Sequence, residues 1–346
     1  MNILEQMSTY GHEQVMLVRD QATGLKAIIA IHNTTLGPAL GGTRFWNYAT
    51  EEDALFDVLR LSRGMTLKSA AAGLALGGGK TVIIGDPAKL KSREFFHAFG
   101  RFINTLNGNY YTAEDVNIGT SDVAMIGEVS KFVVGTPDQS GDPGPFTARG
   151  VYLAMKAGAG VKFGSESLKG KTVAIQGIGS VGRVLCEYLA EEGAILKVCS
   201  RTPATVEQAV KDFGATAVPP EEILSTECDI FSPCAMGAVL NRENVGALKC
   251  SLIAGGANNV LLDAETGDML SELGILYLPD YIVNAGGVIN CGMEVAGGHD
   301  IDKVNAKVEN IYNTTLKVLA LAEERKISTY QAAEEYAWSI VEAGKQ

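Results

Sequence analysis

The sequence predicts an α/β protein with two domains, one of which contains a doubly wound parallel sheet. The chain has 346 residues, enough for two buried cores of ordinary size. Its 40 glycines favour a fold with many tight turns over a helical bundle. In the second half of the chain, apolar strand-like runs alternate with helical patterns, which is typical of a parallel sheet covered by helices.

Composition and charge argue against binding to nucleic acid or to a membrane. The formal net charge of −11 argues against a nucleic-acid surface, where Lys and Arg must neutralise phosphates. No run approaches the roughly 18 apolar residues of a membrane span. The N-terminal segment MNILEQMSTYGHEQ lacks the basic start and apolar core of a signal peptide. We therefore expect a cytoplasmic protein that binds neither nucleic acid nor membrane.

The cysteine and histidine patterns predict no metal site. The six cysteines occur singly and without a CxxC pair, which fits a reducing compartment and gives no zinc signature. The four histidines are far apart in sequence, so no pair has the spacing of metal ligands.

Strand and helix patterns in the first half predict a sheet with flanking helices. Residues 13–18 (EQVMLV) and 26–32 (KAIIAIH) read as two strands joined by the turn DQATG. One helix is predicted to begin at Thr50, and another to cover 92–108, where phenylalanines recur at helical spacing. The segment 36–44 (LGPALGGTR) is glycine-rich and reads as a loop.

The second half predicts the doubly wound sheet. A loop rich in Gly, Pro and Asp (135–145) marks a candidate hinge between the domains. A long helix (302–326) and a final helix (328–343) are predicted to close the chain. The elements predicted in between are helices near 147–160, 181–192 and 204–213, and strands at or near 171–176, 194–200, 216–218, 228–234, 251–259 and 275–287.

The segment GIGSVG, which begins at Gly177, has the GxGxxG pattern of a dinucleotide-binding turn. It follows the strand KTVAIQ and opens a helix, the context that makes this pattern specific. Gly177 would make the tight turn, Gly179 would let backbone approach a pyrophosphate, and Gly182 would let helix and strand pack closely. The helix N-terminus at Ser180 and Val181 would face the negative charge. A Rossmann-type domain that binds NAD or NADP is therefore predicted.

The position that selects the cofactor holds no acid. About 20 residues after the fingerprint, the second Rossmann strand usually ends in Asp or Glu, which binds the ribose hydroxyls. Here that place holds Ser200, followed by Arg201. A carboxylate would repel a 2′-phosphate, whereas Arg201 could bind one through charge-assisted hydrogen bonds. The sequence thus predicts that NADP is accepted, and leaves binding of NAD through Ser200 open.

Two lysines and an aspartate in the first half indicate a catalytic site. Lys68 and Lys80 flank a small-residue segment that ends in GGGK, where the triple glycine lets backbone crowd a ligand. A lysine held beside a second cation in an apolar pocket can act as a base near neutral pH. Asp115 follows a strand-like run and supplies a carboxylate.

Motifs along nearly the whole chain occur in the order of one enzyme family. They are PALGGTR, MTLK, LGGGK, AEDVN, DPGPFTARG, GIGSVG, CDIFSPCAMGAVLN, IAGGANN and PDYIVNAGGVIN. Together they resemble the leucine, phenylalanine and valine dehydrogenases, the branch of the glutamate dehydrogenase superfamily that acts on apolar amino acids. The resemblance implies reversible oxidative deamination of an L-amino acid to a 2-oxo acid and ammonia, with hydride transfer to NAD or NADP.

The resemblance also implies a role for each matching residue. Lys68 would bind the substrate carboxylate, Lys80 would activate the water that attacks the imino acid, and Asp115 would move a proton to and from the substrate nitrogen. The charge of Lys68 would help to lower the pKa of Lys80. The other implied contacts are the backbone of Gly41 and Gly42 to the substrate, Asn258 near the nicotinamide, Thr147 on its carboxamide, and Cys234 and Ala235 at the cofactor.

By the same resemblance, the substrate side chain would contact Leu40, Ala113, Val288 and Cys291. This apolar pocket suits a branched aliphatic chain and offers no cation for a glutamate side chain. Because one methylene is worth only about 1–3 kcal/mol of discrimination, several aliphatic amino acids should react. We predict leucine, valine and isoleucine ahead of phenylalanine. An enzyme for phenylalanine or another aromatic amino acid is the alternative.

The domain organisation is implied in the same way. Residues 1–134 with 315–346 would form a catalytic domain that also makes the subunit contacts of a homo-oligomer. Residues 147–314 would form the cofactor domain, with the active site in the cleft between the two. The loop before Pro145 is shorter than in the leucine-type enzymes, and the segment MEVAGGHD (293–300) departs from their pattern.

Two other functions share part of this pattern. A non-catalytic nucleotide-sensing protein would keep the fold, but the joint presence of Lys68, Lys80 and Asp115 argues against it. A hydroxy-acid dehydrogenase shares the glycine fingerprint, but it would need a His acid/base and an Arg for the carboxylate, and neither is placed in that way here.

Overall fold

The computed structural model of the protein describes residues 2–235, 237–295 and 297–345. The chain divides into two compact units, each with its own sheet and buried core. The first unit comprises Met1–Pro143, Val288–Val304 and Ala337–Gln346, and the second unit comprises Gly144–Gly287 and Asn305–Tyr336.

The first unit is built on a mixed six-stranded sheet. The elements up to Pro143 are α1 (Ile3–Tyr10), β1 (Gln14–Asp20), β2 (Leu25–Asn33), β3 (Ala39–Leu40), β4 (Thr43–Trp46), α2 (Glu51–Ala71), β5 (Gly77–Ile84), α3 (Pro87–Leu90), α4 (Arg93–Thr105), β6 (Tyr110–Tyr111) and α5 (Thr120–Gly127). The strands lie in the order β1-β2-β5-β3-β6, and β4 also pairs with β5. Because Leu40 pairs with Gly78 and Thr43 with Thr81, the turn between β3 and β4 lies beside the middle of β5.

Strand β2 is buried on both faces, which explains why its sequence is a nearly continuous apolar run. Ile29 and Ile31 belong to the core cluster that contains the phenylalanines of α4. Ile28 and Ala30 belong to a second cluster, which they share with the apolar face of α2. Alternate side chains of a strand point to opposite faces, so α4 and α2 cover the two sides of the sheet.

Both covering helices begin at side-chain caps. The Thr50 hydroxyl accepts the N–H of Asp53 at 3.0 Å, and the Asp53 carboxylate accepts the N–H of Thr50 at 3.2 Å. This capping box starts α2 where the sequence predicts a helix to begin. In α4, the Ser92 hydroxyl accepts the N–H of Phe95 at 3.2 Å. These bonds satisfy N–H groups that have no partner within the helix.

The second unit is built on a parallel six-stranded sheet. Its elements up to Gly287 are α6 (Gly144–Phe163), β7 (Thr172–Gln176), α7 (Ser180–Glu192), β8 (Ile195–Cys199), α8 (Pro203–Phe213), β9 (Thr216–Ala217), β10 (Ile230–Pro233), β11 (Leu252–Ile253), α9 (Ala264–Glu272), β12 (Leu276–Tyr277) and α10 (Asp280–Val283), with short 3₁₀ helices at Ile223–Ser225 and Val245–Ala247. The strand order β12-β11-β10-β7-β8-β9, with every neighbouring pair parallel, is that of a Rossmann fold. The predicted two-domain α/β fold is therefore confirmed.

The last part of the chain is helical, and it differs in detail from the prediction. Its helices are α11 (Gly286–Val295), α12 (Ile301–Glu309), α13 (Ile311–Arg325) and α14 (Thr329–Ala343). The predicted helix 302–326 is thus two helices, with Asn310 between them. Helices α1, α3, α5, α9, α10 and α11 were not predicted. The strand segments predicted at 251–259 and 275–287 contain only two-residue strands, and α10 lies within the second of these segments.

The compact units also differ from the predicted domain ranges. Residues 288–304 group with the first unit and 305–336 with the second, whereas the prediction places 147–314 in the cofactor domain and 315–346 in the catalytic domain. The physical reason lies in α13, which packs against α6 and α10 of the second unit.

Two buried histidines join α1, β2 and α2 in the first unit. Nε2 of His12 lies 2.7 Å from Oγ of Ser62, which itself donates to the Val58 carbonyl. Nδ1 of His32 lies 2.7 Å from Oγ1 of Thr66, and Nε2 of His32 lies 3.1 Å from the Tyr10 carbonyl. Because a carbonyl only accepts, Nε2 of His32 carries the proton and Nδ1 accepts from Thr66. Burial lowers the pKa of each histidine to about 4.

We predict a loss of stability as the pH falls from about 6.5 towards about 4. In that range the unfolded chain protonates both histidines, whose ordinary pKa is near 6.5, while the folded protein keeps them neutral. The melting temperature, measured from pH 7.5 down to about pH 4.5, should fall less steeply in His12→Gln than in the unmodified protein. Equal slopes in the two proteins would contradict the prediction.

Candidate active site

Glycines bring three backbone segments into close contact at the centre of the first sheet. A Cβ atom at Gly41 would lie 1.8 Å from the carbonyl oxygen of Gly79. A Cβ atom at Gly42 would lie 2.2 Å from the carbonyl oxygen of Glu114. Neither position can hold a side chain, so the turn between β3 and β4 packs directly on β5 and on the segment after β6. Contact of Gly41 and Gly42 with a substrate stays a prediction.

Lys80 and Asp115 meet at this point. Lys80 lies on β5 and is 6% exposed, and its Nζ is 3.0 Å from Oδ2 of Asp115. The Asp115 side chain is 18% exposed. Burial acts to raise the pKa of Asp115, but Lys80 and Arg44 outweigh it and hold this pKa below its ordinary value. The structure thus brings together two of the three residues predicted to act on the substrate.

Arg44, on β4, is a charged residue of this cluster that the sequence did not single out. Its Nε donates to Oδ2 of Asp115 at 3.2 Å, and its Nη1 donates to Oδ2 of Asp57 at 2.8 Å. Tyr48 donates its hydroxyl proton to the same oxygen of Asp57 at 2.7 Å. Arg44 is part of the motif PALGGTR, but only the fold shows that it reaches Asp115.

Lys68 lies in the last turn of α2 and is half-buried. Helix α2 packs along β5, and at Thr66 the contact is so close that a Cβ at Gly78 would lie 2.1 Å from the Thr66 nitrogen. Thr66 lies two residues before Lys68, and Gly78 lies two residues before Lys80. The helix that carries Lys68 therefore packs directly against the strand that carries Lys80. Binding of a carboxylate by Lys68 stays a prediction.

The four residues predicted to contact the substrate side chain lie in one apolar cluster of the first unit. Leu40 and Cys291 are buried members, and Ala113 and Val288 pack against them. The sequence missed the other members, which come from the segment before β5, from β6, from the segment after α5 and from helix α11. They are Ala72, Leu74, Leu76, Tyr111, Val134 and Val295.

The two segments that depart from the family pattern meet at the edge of this cluster. The Glu294 carboxylate accepts the N–H groups of Gly135 at 3.1 Å and Ser140 at 3.0 Å. The Ser140 hydroxyl lies 3.7 Å from Sγ of Cys291. Burial raises the pKa of the Cys291 thiol to about 12, so this side chain lines the cluster as a neutral group. The predicted hinge loop is thus tied to α11 within the first unit.

In the second unit, the glycine fingerprint lies where the strand order reverses. Gly177 directly follows β7 and has a φ of +100°, which favours glycine. Gly182 packs so closely that a Cβ there would lie 2.0 Å from the Gly177 carbonyl oxygen. Gly179 differs, because a Cβ at this position would meet no atom within 4 Å. It precedes Ser180 and Val181 at the start of α7, as predicted.

The other predicted cofactor residues, except Thr147, lie on segments that follow strands of this sheet. Ala235 touches Gly177, and Sγ of Cys234 accepts the N–H of Gly256 at 3.4 Å. Oδ1 of Asn258 accepts from Asn284 at 2.8 Å. Thr147 is buried in the first turns of α6, and Ser200 directly follows β8, with Arg201 exposed beside it.

These features fit a dinucleotide. The open space before Gly179 and the N-terminus of the 13-residue helix α7 form a cradle for a pyrophosphate, which such helix ends bind through backbone N–H groups. Among the described residues, no group of His, Cys, Asp or Glu is arranged to hold a metal ion, and all six cysteines are free. No helix of the described residues is long and apolar enough to span a membrane.

Models of known protein families match residues in both units of the chain. Residues 12–131 match the model of the Glu/Leu/Phe/Val dehydrogenase dimerisation domain, and residues 195–345 match the model of the glutamate/leucine/phenylalanine/valine dehydrogenases. The chain is 52% identical to leucine dehydrogenase of Geobacillus stearothermophilus over 99% of its length and 94% of that enzyme. It is 44% identical to phenylalanine dehydrogenase of Thermoactinomyces intermedius over 96% of its length and 92% of that enzyme.

A solved structure extends this similarity to the whole fold. The crystal structure of L-tryptophan dehydrogenase from Nostoc punctiforme is 43% identical, covers 99% of this chain and 100% of that chain, and has a TM-score of 0.86. Fold, paired lysine and aspartate, and nucleotide fingerprint together define an amino acid dehydrogenase. The chain belongs to the Glu/Leu/Phe/Val dehydrogenase family, whose members depend on NAD or NADP.

We predict that Gly179→Ala weakens cofactor binding without destabilising the protein. The new methyl group meets no protein atom, so only a bound pyrophosphate would collide with it. The Kd for the cofactor should rise by about tenfold or more, which corresponds to a loss of about 1.4 kcal/mol. Gly246→Ala, which also points into open space, serves as the control for both Kd and melting temperature. An unchanged Kd in Gly179→Ala would contradict the placement of the cofactor.

Proposed function

We propose that the enzyme catalyses the reversible oxidative deamination of branched-chain aliphatic L-amino acids to 2-oxo acids and ammonia. The observation that carries this proposal is the Lys80–Asp115 ion pair in the same unit as an apolar cluster of Leu40, Ala113, Val288 and Cys291. The pair supplies proton-transfer groups, and the cluster suits an uncharged branched side chain.

The chain's own residues would bind the substrate and move protons. Lys68 would hold the substrate carboxylate by charge. Asp115, which is kept ionised, would take a proton from the substrate nitrogen. Lys80, in its neutral form, would hold the water that attacks the imine carbon and would take one proton from it. Asp115 would return its proton to the nitrogen of the resulting carbinolamine. The C–N bond then breaks, and the hydroxyl proton passes to the departing ammonia as the C=O bond forms. The nicotinamide, when bound, supplies the acceptor for the electron pair of the oxidation.

The proposed substrate order is leucine, valine and isoleucine before phenylalanine. The 52% identity to a leucine dehydrogenase supports it. The alternative, an aromatic amino acid, is supported by the similarity to phenylalanine and tryptophan dehydrogenases. Leu40 and Ala113 both belong to the cluster that would contact the side chain, and this apolar cluster supports an uncharged substrate side chain.

We further propose that the enzyme accepts NADP. Ser200 Oγ accepts the N–H of Thr202 at 3.3 Å, so this turn after β8 is ordered without a carboxylate. Arg201 is exposed beside it, and α8 begins at Pro203 without a side-chain cap. A cationic guanidinium and a helix N-terminus both favour the extra phosphate of NADP.

A homo-oligomer is proposed because residues 12–131 match a family model described as a dimerisation domain. The cytoplasmic location, and the absence of nucleic-acid and membrane partners, stay predictions from composition.

The function is tested by following the absorbance of reduced cofactor with a panel of 2-oxo acids, with and without ammonium. We expect oxidation of the cofactor only with ammonium, and faster with the oxo acids of leucine, valine and isoleucine than with that of phenylalanine. A signal independent of ammonium would refute the amino acid dehydrogenase assignment for this substrate class. A preference for aromatic oxo acids would support the alternative.

In the same assay, Lys80→Ala and Asp115→Asn should each lower kcat by at least about 10²-fold, because each removes a proton-transfer group. Cofactor Kd should change little. Lys89→Ala and Asp86→Asn break an exposed ion pair of the same unit and serve as controls for loss of a lysine or an aspartate. Near-normal turnover in either active-site variant would refute the assigned roles.

The cofactor proposal is tested by the ratio of kcat/KM for NADP to kcat/KM for NAD. Arg201→Ala should lower this ratio by about 10- to 100-fold, the value of one or two charge-assisted hydrogen bonds at about 1.5–3 kcal/mol. Ser200→Asp should lower it further by repelling the 2′-phosphate. Lys197→Ala, on the strand β8 that precedes this turn, is the charge-matched control. A ratio that Arg201→Ala leaves unchanged would contradict the phosphate contact.

A further inference from the structure

The carboxylate of Asp115 belongs to a network of charged side chains that extends through Arg44 to Asp57 on α2. The two residues that follow Asp115 are bonded to β4: Phe45 N–H donates to the Val116 carbonyl at 3.0 Å, and the Asn117 side-chain amide donates to the Phe45 carbonyl at 3.0 Å. The direction of the Asp115 side chain is therefore set by its polar contacts. Lys80 and Arg44 both meet the same oxygen, Oδ2.

Arg44 joins this carboxylate to a second one. One edge of its guanidinium donates to Asp115 at 3.2 Å, and another N–H donates to Asp57 at 2.8 Å. Asp57 is only 15% exposed and is itself held by Tyr48 at 2.7 Å. A guanidinium can bridge two carboxylates because its N–H groups are fixed in one plane, whereas a lysine ammonium is a single point of charge.

We propose that Arg44 is a positioning residue for Asp115, and that Asp57 and Tyr48 act as its anchor. This inference rests on the proposed role of Asp115 as the acid and base for the substrate nitrogen. With Oδ2 occupied by Lys80 and Arg44, Oδ1 is the oxygen that exchanges the proton with the substrate. Arg44 thus fixes which oxygen reacts and keeps the carboxylate ionised.

Charged residues from three elements of the first unit surround Asp115. Arg44 and Lys80 are cations that contact it, and Asp57 is the anion next to Arg44. The other oxygen of Asp57 lies 3.5 Å from the exposed Arg60. Burial and neighbouring anions, including Asp115, raise the pKa of Glu114. The titratable groups that act on Asp115, or on which it acts, are Arg44, Tyr48, Lys80, Tyr110 and Glu114. Arg44 and Lys80 are the members that favour the ionised carboxylate.

The test compares three variants of the full-length enzyme by kcat and by the pH dependence of kcat/KM, with the best substrate of the panel. In Arg44→Gln the charge is lost, so kcat should fall by about 10²-fold and the acidic limb of the profile should move to higher pH. In Arg44→Lys the charge remains without the bridge, so kcat should fall by about tenfold while the limb moves less. In Asp57→Asn the anchor is weakened, so kcat should fall without an upward shift of the limb.

Arg93→Gln, which breaks an exposed ion pair with Glu128 in the same unit, is the matched control and should leave both readouts unchanged. Unchanged kcat and an unchanged limb in folded Arg44→Gln would overturn the proposal. If Arg44→Gln fails to fold, Asp57→Asn and Tyr48→Phe decide: lower kcat with unchanged cofactor Kd supports the proposal, and normal kcat in both overturns it.

Asp115→Asn separates this inference from the proposed function. If Asp115→Asn is inactive and Arg44→Gln is normal, only the role of Arg44 fails. If Asp115→Asn keeps its turnover, the proposed function of Asp115 fails, and the role of Arg44 fails with it.

Discussion

The close contact of backbone segments at the centre of the first sheet is the constraint on which the candidate catalytic site depends. Gly41 lies against Gly79, and Gly42 lies against Glu114, at distances that leave no room for a side chain. The buried hydroxyl of Tyr110 fixes the turn by donating to the Gly41 carbonyl at 2.6 Å. Because the segments approach so closely, side chains from β4 and β5 can reach the carboxylate of Asp115, which lies on the segment after β6.

That carboxylate shows how the site keeps a charge away from bulk water. A partly buried Asp115 would be costly in its ionised form without cations in contact. Lys80 and Arg44 supply them, and Asp57 balances the second cation. The ionised form is therefore stabilised by cations on two strands, and one of them, Arg44, is held in place by Asp57 on α2. The chemistry of Asp115 thus depends on the packing of α2 as well as on the residues that would touch a substrate.

In the second unit, the candidate pyrophosphate site is formed by backbone rather than by charged side chains. Gly182 is explained by protein packing alone, because a side chain there would collide with the turn at Gly177. At Gly179, by contrast, no protein atom would exclude a side chain. This glycine lies at the start of α7, where the helix N-terminus favours binding of an anion. We propose that the apolar cluster of the first unit selects the amino acid and that the turn at Ser200 selects the dinucleotide.

The sequence by itself determined the fold class, the glycine fingerprint and the family, because these depend on local periodicity and on motifs whose spacing is visible in one dimension. It also pointed to Lys80, Asp115 and the side-chain pocket, through the resemblance. Only the tertiary structure decided that Arg44 and Asp57 stand behind Asp115, since these residues are far apart in sequence and meet through the parallel pairing of β4 with β5 and the packing of α2 on that strand. It likewise placed α13 with the second unit, because helical periodicity shows which face is apolar but not which surface buries it.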